Sequence, residues 1–521
     1  MTFVAPADPL SATYELEVQL DPEEKRVSGT GTIRLVNRSA LTLRTLALAW
    51  FSGPDGSFTA KIGKVTPLPA LPATREAAPL LTALAAGRDG TSITEVSLPQ
   101  PLAPGGTAEL SVAFSAHQTE EIYGAWPVMF FHPKLFWGYP TQDDYAVRIE
   151  APAGWSLAVS GRQGTDGVWR AEGVRDFGIV TSTDHHVMET MAGDTLIRCL
   201  YRPPGKECAD LLLKTAADAV DYYRAEFGFY PFPFLTFVPG MDRVAGGGPL
   251  ATAIVAIHGE ERFAEAPADH WRWIVAHEIG HQYWGECVMD ADQPDWLWIG
   301  LGIYMDRAYT RARGLAKNHR EYFTGEYLEG VKEGVDTTLA RCPDDMADLP
   351  FDYNNIVMHG KGYSVISALE AVLGTETFRR VYQQCLQQCR GKRLGVQAFR
   401  EFCEQQTGED LGWFFSQWVF SNRQLAYRIA SVNTEAKAGR YTTRVTVERT
   451  GTLQMPVPVE VRFVDGSVQR ASTNRLSQVS ELVFESAAPL TEAVLDPDQA
   501  LPLRDQPVYQ PQLTIHEDGR T

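Results

Sequence analysis

The 521-residue chain has no basic excess. Its 47 Lys and Arg face 65 Asp and Glu, a formal net charge of −18. A nucleic-acid binder working by bulk charge is excluded, because such binding rests on neutralising phosphates with clustered Lys and Arg. Cysteine is scarce: seven residues, at 199, 208, 287, 342, 385, 389 and 403, with no CxxC pair. That spacing speaks against a disulfide framework or a cysteine zinc site and for thiols in a reducing compartment. Cys385 and Cys389 are spaced to share a helix face. No apolar run reaches the roughly 18 residues that a spanning helix needs, so no membrane segment is expected. The N-terminus, MTFVAPADPLSATYELEV, lacks the basic and apolar regions of a signal peptide. A cytoplasmic protein is the expectation. Internal repeats and long linkers are also missing. What remains is an ordinary globular composition, 44% hydrophobic and 21% charged, long enough for roughly three to five domains.

Apolar spacing divides the chain. Tyr14-Glu-Leu-Glu-Val-Gln-Leu20 alternates with the period of a half-buried strand. Runs at 30–36, 41–50, 107–114, 145–151 and 155–159 continue the β pattern between Gly, Pro and Asp clusters. From Ala209 to Phe227 apolar residues recur at helical spacing, and Gly228 closes the helix. Tyr230-Pro-Phe-Pro233 turns the chain into a strand, and Ile254–Ile257 reads as another. From Asp269 to about Val419 the pattern is mostly helical, and after Asn422 alternation returns. The expected fold is multidomain α+β: an N-terminal β saddle or sandwich over 1–195, a mostly helical catalytic domain over 196–424 and a small C-terminal β-sandwich over 425–521.

Chemistry concentrates in His277-Glu-Ile-Gly-His281, an HExxH sequence. Histidines at i and i+4 share one helix face and grip one metal ion, while the Glu between them reaches a water on that ion. Zinc lowers that water's pKa to about 7, which lets Glu278 act as general base. Catalytic zinc normally takes three protein ligands, so a further donor must come from elsewhere in the chain.

With its flanks, the motif resembles the aminopeptidase N family of gluzincin metallopeptidases. His277-Glu-Ile-Gly-His-Gln-Tyr-Trp-Gly285 matches HExxHxxxG, and Trp296-Leu-Trp-Ile-Gly-Leu-Gly-Ile-Tyr304 resembles the family's WLxEGxAxY helix. Phe227-Gly-Phe-Tyr-Pro-Phe-Pro233, the stretch from Lys361 to Gly374 followed by Phe378, Trp413–Trp418, Asp176–Val180 and Val494-Leu-Asp-Pro497 resemble other family segments. The resemblance implies a thermolysin-like middle domain, a metal cofactor (zinc or another divalent transition metal) and a peptide or small-molecule substrate. Many relatives continue into a helical domain that covers the cleft. Without it, cover is expected from the first two domains or from a partner. The oligomeric state stays open.

Three family positions differ. The third zinc ligand, the Glu of WLxEG, is Ile299 here, and the spacing from His281 is one residue short; the shifted register puts Gly300 there. The amine-binding GxMEN loop corresponds to Gly246-Gly-Gly-Pro-Leu-Ala251, and no carboxylate occurs between Ala245 and His258. The tyrosine of YxKG is His359. An imidazole there can donate a hydrogen bond to an oxyanion, and His359 is the candidate third ligand beside His277 and His281. Asp306, seven residues past Ile299, lies about 10 Å further along the helix, too far to replace the Glu without a shift. Asp290, Asp292 and Asp295 read as solvated or capping. Trp271, Trp273, Trp284, Trp296 and Trp298 read as core, with Trp298 the alternative as a cleft wall. The leading expectation is a metal-dependent enzyme acting through Glu278 and His359 on a small or non-standard substrate. An ordinary zinc aminopeptidase and an inactive scaffold are the alternatives.

Overall fold

The computed structural model describes residues 10–51, 57–66, 91–117, 126–129, 142–239, 246–257, 263–291, 296–340, 349–503 and 512–513. The chain divides into two compact units. The first comprises Met1–Asp292, Met305–Lys317 and Gln383–Phe399. The second comprises Gln293–Tyr304, Asn318–Tyr382 and Arg400–Thr521.

The architecture is mixed α/β, with sheets at the N-terminus and a helical middle. In the first unit, Leu10–Asp21 alternates buried and exposed residues along its length, as its sequence period requires. It pairs antiparallel with Arg26–Asn37 and parallel with Asp143–Glu150 at the centre of a seven-stranded sheet. The ring of Tyr14 stacks on that of Tyr145 at 4.3 Å.

A five-stranded sheet carries the middle of the chain. Its strands are β1 (His186–Ala192), β2 (Thr195–Tyr201), β3 (Phe234–Pro239), β4 (Gly247–Ala251) and β5 (Ile254–Ile257), in the spatial order β1-β2-β3-β5-β4. β2, β3 and β5 run parallel, and β4 returns antiparallel as an edge strand. Helix α1 (Lys206–Phe227) ends at Gly228, whose φ of 84° is the left-handed cap that favours glycine. Helix α2 (Ala268–Tyr283) carries HExxH and is buried at every position from Trp273 to Tyr283. Its buried stretch carries His277, Glu278, His281 and Gln282 among apolar and aromatic residues, polar groups that burial obliges to find partners. Tyr223 of α1 donates a hydrogen bond to the Ala276 carbonyl at 3.1 Å, and Tyr283 donates to the Phe229 carbonyl at 2.6 Å. These bonds fix α2 along and about its axis.

Helix α3 spans Trp296–Arg313. A short strand, Val288–Asp290, pairs with Lys392–Leu394 inside the region read as helical; three residues are too few for a period to declare itself. Asp290 is buried in that strand rather than solvated. Asp292 and Asp295 lie outside the described residues. The second unit adds further helices and, after residue 426, a four-stranded and a three-stranded sheet. The six described cysteines are all buried thiols, and Cys342 lies outside the described residues. Among the described residues no helix is long and apolar enough to cross a membrane.

Candidate metal centre

His277 and His281 lie one turn apart on α2, with their rings edge to face at 4.6 Å. Their Nε2 atoms approach to 3.1 Å. With metal–nitrogen bonds of about 2.0–2.1 Å, that separation corresponds to an angle of about 100° at a shared ion, near tetrahedral. The spacing therefore fits two imidazoles closing on one divalent cation.

His277 is oriented from outside its own helix. Its Nδ1 lies 2.6 Å from Oδ2 of Asp306, while Trp273 donates its indole N–H to Oδ1 of the same carboxylate at 3.1 Å. Asp306 is completely buried. A carboxylate on Nδ1 holds the proton there and turns the Nε2 lone pair outward, the arrangement that tunes a metal-binding histidine. Burial disfavours the imidazolium of His277, but the hydrogen bond and charge of Asp306 outweigh it, and the pKa is raised. The Lys317 ammonium sits 3.5 Å from the centre of the Trp273 ring. Burial lowers its pKa to about 8 against the pull of Asp306.

Glu278 is 3% exposed, and its Oε2 has no hydrogen-bond partner among the described residues. Burial pushes its pKa up to about 7, against the stabilising charge of His277. An unsatisfied buried carboxylate oxygen is costly, so Oε2 of Glu278 marks a position built for a further polar group.

The edge strand reaches this carboxylate. A Cβ on Gly247 would lie 2.9 Å from Cγ of Glu278 and 2.9 Å from Cδ1 of Ile257, whereas Gly246 and Gly248 face open space. Only a glycine lets the backbone of β4 pass so close to Glu278. The hairpin turn is anchored by polar groups. Ala253, at φ 58°, donates its N–H to Oε1 of Gln282 at 2.9 Å. Thr252 donates its hydroxyl to Oε2 of Glu286 at 2.6 Å and accepts the Asp176 N–H at 3.2 Å. Arg175 bridges the buried carboxylates of Asp176 and Glu286 at 3.4 and 3.2 Å. Gln282 and Glu286 flank the His281 end of α2, so the hairpin and the motif are tied together.

The remaining positions, Ile299, Gly300 and His359, belong to the second unit. Ile299 is buried on α3, with no donor to offer a metal. Gly300 is pressed against the backbone of Gly362, where a Cβ would lie 2.8 Å from its carbonyl oxygen. His359 belongs to the second unit, on a π-helical segment, Asn354–Lys361. Its Nδ1 lies 2.9 Å from the Asn354 carbonyl oxygen, and its ring stacks on Phe323 at 6.4 Å. Among the described residues no group of three His, Cys, Asp or Glu side chains is arranged to hold a metal. The donor set fits a two-histidine site with Glu278 beside it. Trp271, Trp273, Trp284 and Trp296 are buried as core, and Trp298 is half-buried. Asp306, Gly247 and the Asp176–Thr252–Glu286 group are the residues that sequence reasoning missed or misassigned. For Asp306 the signal was present: it lies two turns past Ile299, on the same face of α3.

Comparison with known proteins matches residues 253–418 to the peptidase family M1 domain. The chain is 23% identical over 250 residues to Probable aminopeptidase 1 of Sulfurisphaera tokodaii, covering 45% of this chain and 31% of that protein. Over 239 residues it is 23% identical to Aminopeptidase M1 of Arabidopsis thaliana, covering 42% and 26%. Over 213 residues it is 25% identical to Aminopeptidase N of Haemonchus contortus, covering 38% and 21%. The matched region spans less than a third of each of these relatives.

Proposed function

We propose that the chain is a divergent member of the aminopeptidase N-like family and, on that premise, a metal-dependent hydrolase of the aminopeptidase type. One observation carries the reading: the Nε2 atoms of His277 and His281 converge at 3.1 Å, and Glu278 on the same helix holds a buried Oε2 with no hydrogen-bond partner among the described residues. The proposal takes zinc or another divalent transition metal as the ion, a short peptide or small molecule as substrate, and the cytoplasm as compartment. It keeps a thermolysin-like middle domain and the boundaries 1–195, 196–424 and 425–521, with β-sandwich character at both ends.

In this reading His277 and His281 hold the ion through Nε2, and Asp306 keeps the proton of His277 on Nδ1. When bound, the ion supplies Lewis-acid polarisation and acidifies water. Glu278 accepts the water's proton at Oε2. A pKa near 7 suits it both to take that proton and to pass it to a leaving amine. The backbone of β4, brought against Glu278 by Gly247, offers an open strand edge to an extended substrate. His359 stays in the proposal as a candidate metal donor; lower metal content in His359→Ala than in the parent supports that role.

A specific observation favours a second reading, a substrate without a free N-terminal amine. Between Ala245 and His258 no side chain carries a carboxylate to pair with an ammonium group. The test is turnover of an aminoacyl arylamide against its N-acylated counterpart, in parent and Glu278→Gln. Cleavage of the free-amine substrate, abolished in the variant, supports the ordinary aminopeptidase. Preference for the acylated one supports the second reading. Absence of bound metal, with unchanged stability in His277→Ala, overturns both and leaves a non-catalytic binding protein.

A further inference from the structure

A cavity of 660 Å³ opens in the second unit, and none of its lining residues belongs to the candidate metal centre. Its size lies within the range of small-molecule sites, roughly 300–1,000 Å³. Arg380 enters it from the helix Thr375–Gln388, Trp413 from the helix Gly412–Trp418, Glu409 and Asp410 from the loop before that helix, and Arg475 from the C-terminal sheet region. The Arg475 guanidinium lies over the Trp413 ring, 4.6 Å from its centre. That stacking leaves the in-plane N–H groups of the guanidinium available to an acceptor. Among the described residues neither Arg380 nor Arg475 has a hydrogen-bonded or ion-paired acceptor, and the Glu409 carboxylate has no donor. Asp410 accepts only the Gly412 N–H, at 2.9 Å on Oδ1.

The cavity thus presents two cations and two anions that do not neutralise one another. A simple anion would be drawn to the guanidinium groups and repelled by Glu409 and Asp410. A simple cation would meet the opposite pattern. A ligand carrying both signs satisfies all four. We propose that this cavity binds a zwitterion of the α-amino acid class, either a free amino acid or a short peptide with both termini free. Its carboxylate lies against Arg380 and Arg475, where the planar forks match carboxylate geometry. Its ammonium group lies against Glu409 and Asp410. The apolar side chain rests on Trp413 and Leu411. This site stands independently of the hydrolase reading.

The experiment is equilibrium dialysis on the full chain carrying Glu278→Gln, so that a peptide probe is not consumed. L-leucine, L-leucyl-L-leucine, N-acetyl-leucine and leucinamide are the probes. Saturable binding of leucine or of the dipeptide is expected, and whichever binds more tightly identifies the source. N-acetyl-leucine and leucinamide are expected to bind at least about tenfold more weakly, a loss of about 1.4 kcal/mol. Arg380→Gln and Arg475→Gln, both outside the core, are expected to weaken zwitterion binding by a similar factor. Any of three results overturns the proposal: no saturation below about 10 mM, at the weak end of specific affinity; N-acetyl-leucine binding as well as leucine; or both arginine variants binding as the parent does. Binding lost in His277→Ala but kept in Arg380→Gln would place the ligand at the metal centre and overturn it as well.

Discussion

Asp306 approaches His277 to 2.6 Å through Oδ2, from a position two turns past the buried Ile299 on the same helix. The helix that offers no metal donor at Ile299 still supplies the carboxylate that orients the first histidine. Family resemblance directs attention to residue 299; the geometry moves it to residue 306.

Asp306→Asn tests that relationship. The substitution keeps the volume and the acceptor for Trp273 but removes the charge that holds the proton on His277 Nδ1. Metal affinity is expected to fall about 10- to 100-fold, the usual loss when such a partner is changed. Competition with a chromogenic chelator measures it. Unchanged affinity would show that Asp306 is only a packing residue.

Metal binding is expected to weaken at low pH. The His277 pKa is raised above its ordinary value of 6.5, and the proton competes with the ion. The metal-free protein has the opposite dependence. A histidine with a raised folded pKa contributes stability that is fully present below the unfolded pKa and is lost as pH rises through the folded value. Zinc titrations and thermal melts across that window should therefore slope in opposite directions, and His277→Ala should flatten both.

Gly247→Ala places a methyl group 2.9 Å from Cγ of Glu278. The carboxylate or the edge strand must shift, and a displacement of about 1 Å near reacting groups can cost on the order of 100-fold in rate. Activity is expected to fall by that order while the circular dichroism spectrum is kept. Gly248→Ala, facing open space, is the control and should retain activity.

Lys361 and Asp336 form a buried pair at 2.8 Å, with side chains 0% and 2% exposed. Burial lowers the lysine pKa and raises that of the aspartate, outweighing their mutual attraction. Lys361→Met alone should cost about 3–5 kcal/mol, because it strands a buried carboxylate. Lys361→Met with Asp336→Leu should recover most of that loss. Urea denaturation of the four proteins in this cycle measures the coupling.

Local features were legible in the sequence. The alternation of Tyr14–Leu20, the helix closed by Gly228 and the pairing of His277 with His281 all depend on residues a few positions apart, where backbone period alone decides which side chains share a face. The three differences from the family pattern were readable for the same reason: a missing Glu or carboxylate shows in the residue names. The strand pair Val288–Asp290 and Lys392–Leu394 was not legible, since three residues show no period and the partner lies about a hundred positions away.

The sequence by itself determined that two imidazoles and a carboxylate would stand on one helix, because i and i+4 positions are neighbours wherever that helix packs. Tertiary structure decided what surrounds them. Asp306 reaches His277, Gly247 presses on Glu278, and Thr252 lies against Glu286 only because α3 and the β4–β5 hairpin fold against α2. Those contacts join segments about 30 positions apart, which no local period encodes. They turn a helix with two histidines into a cluster in which His277 is oriented by a buried carboxylate and Glu278 is buried against an edge strand.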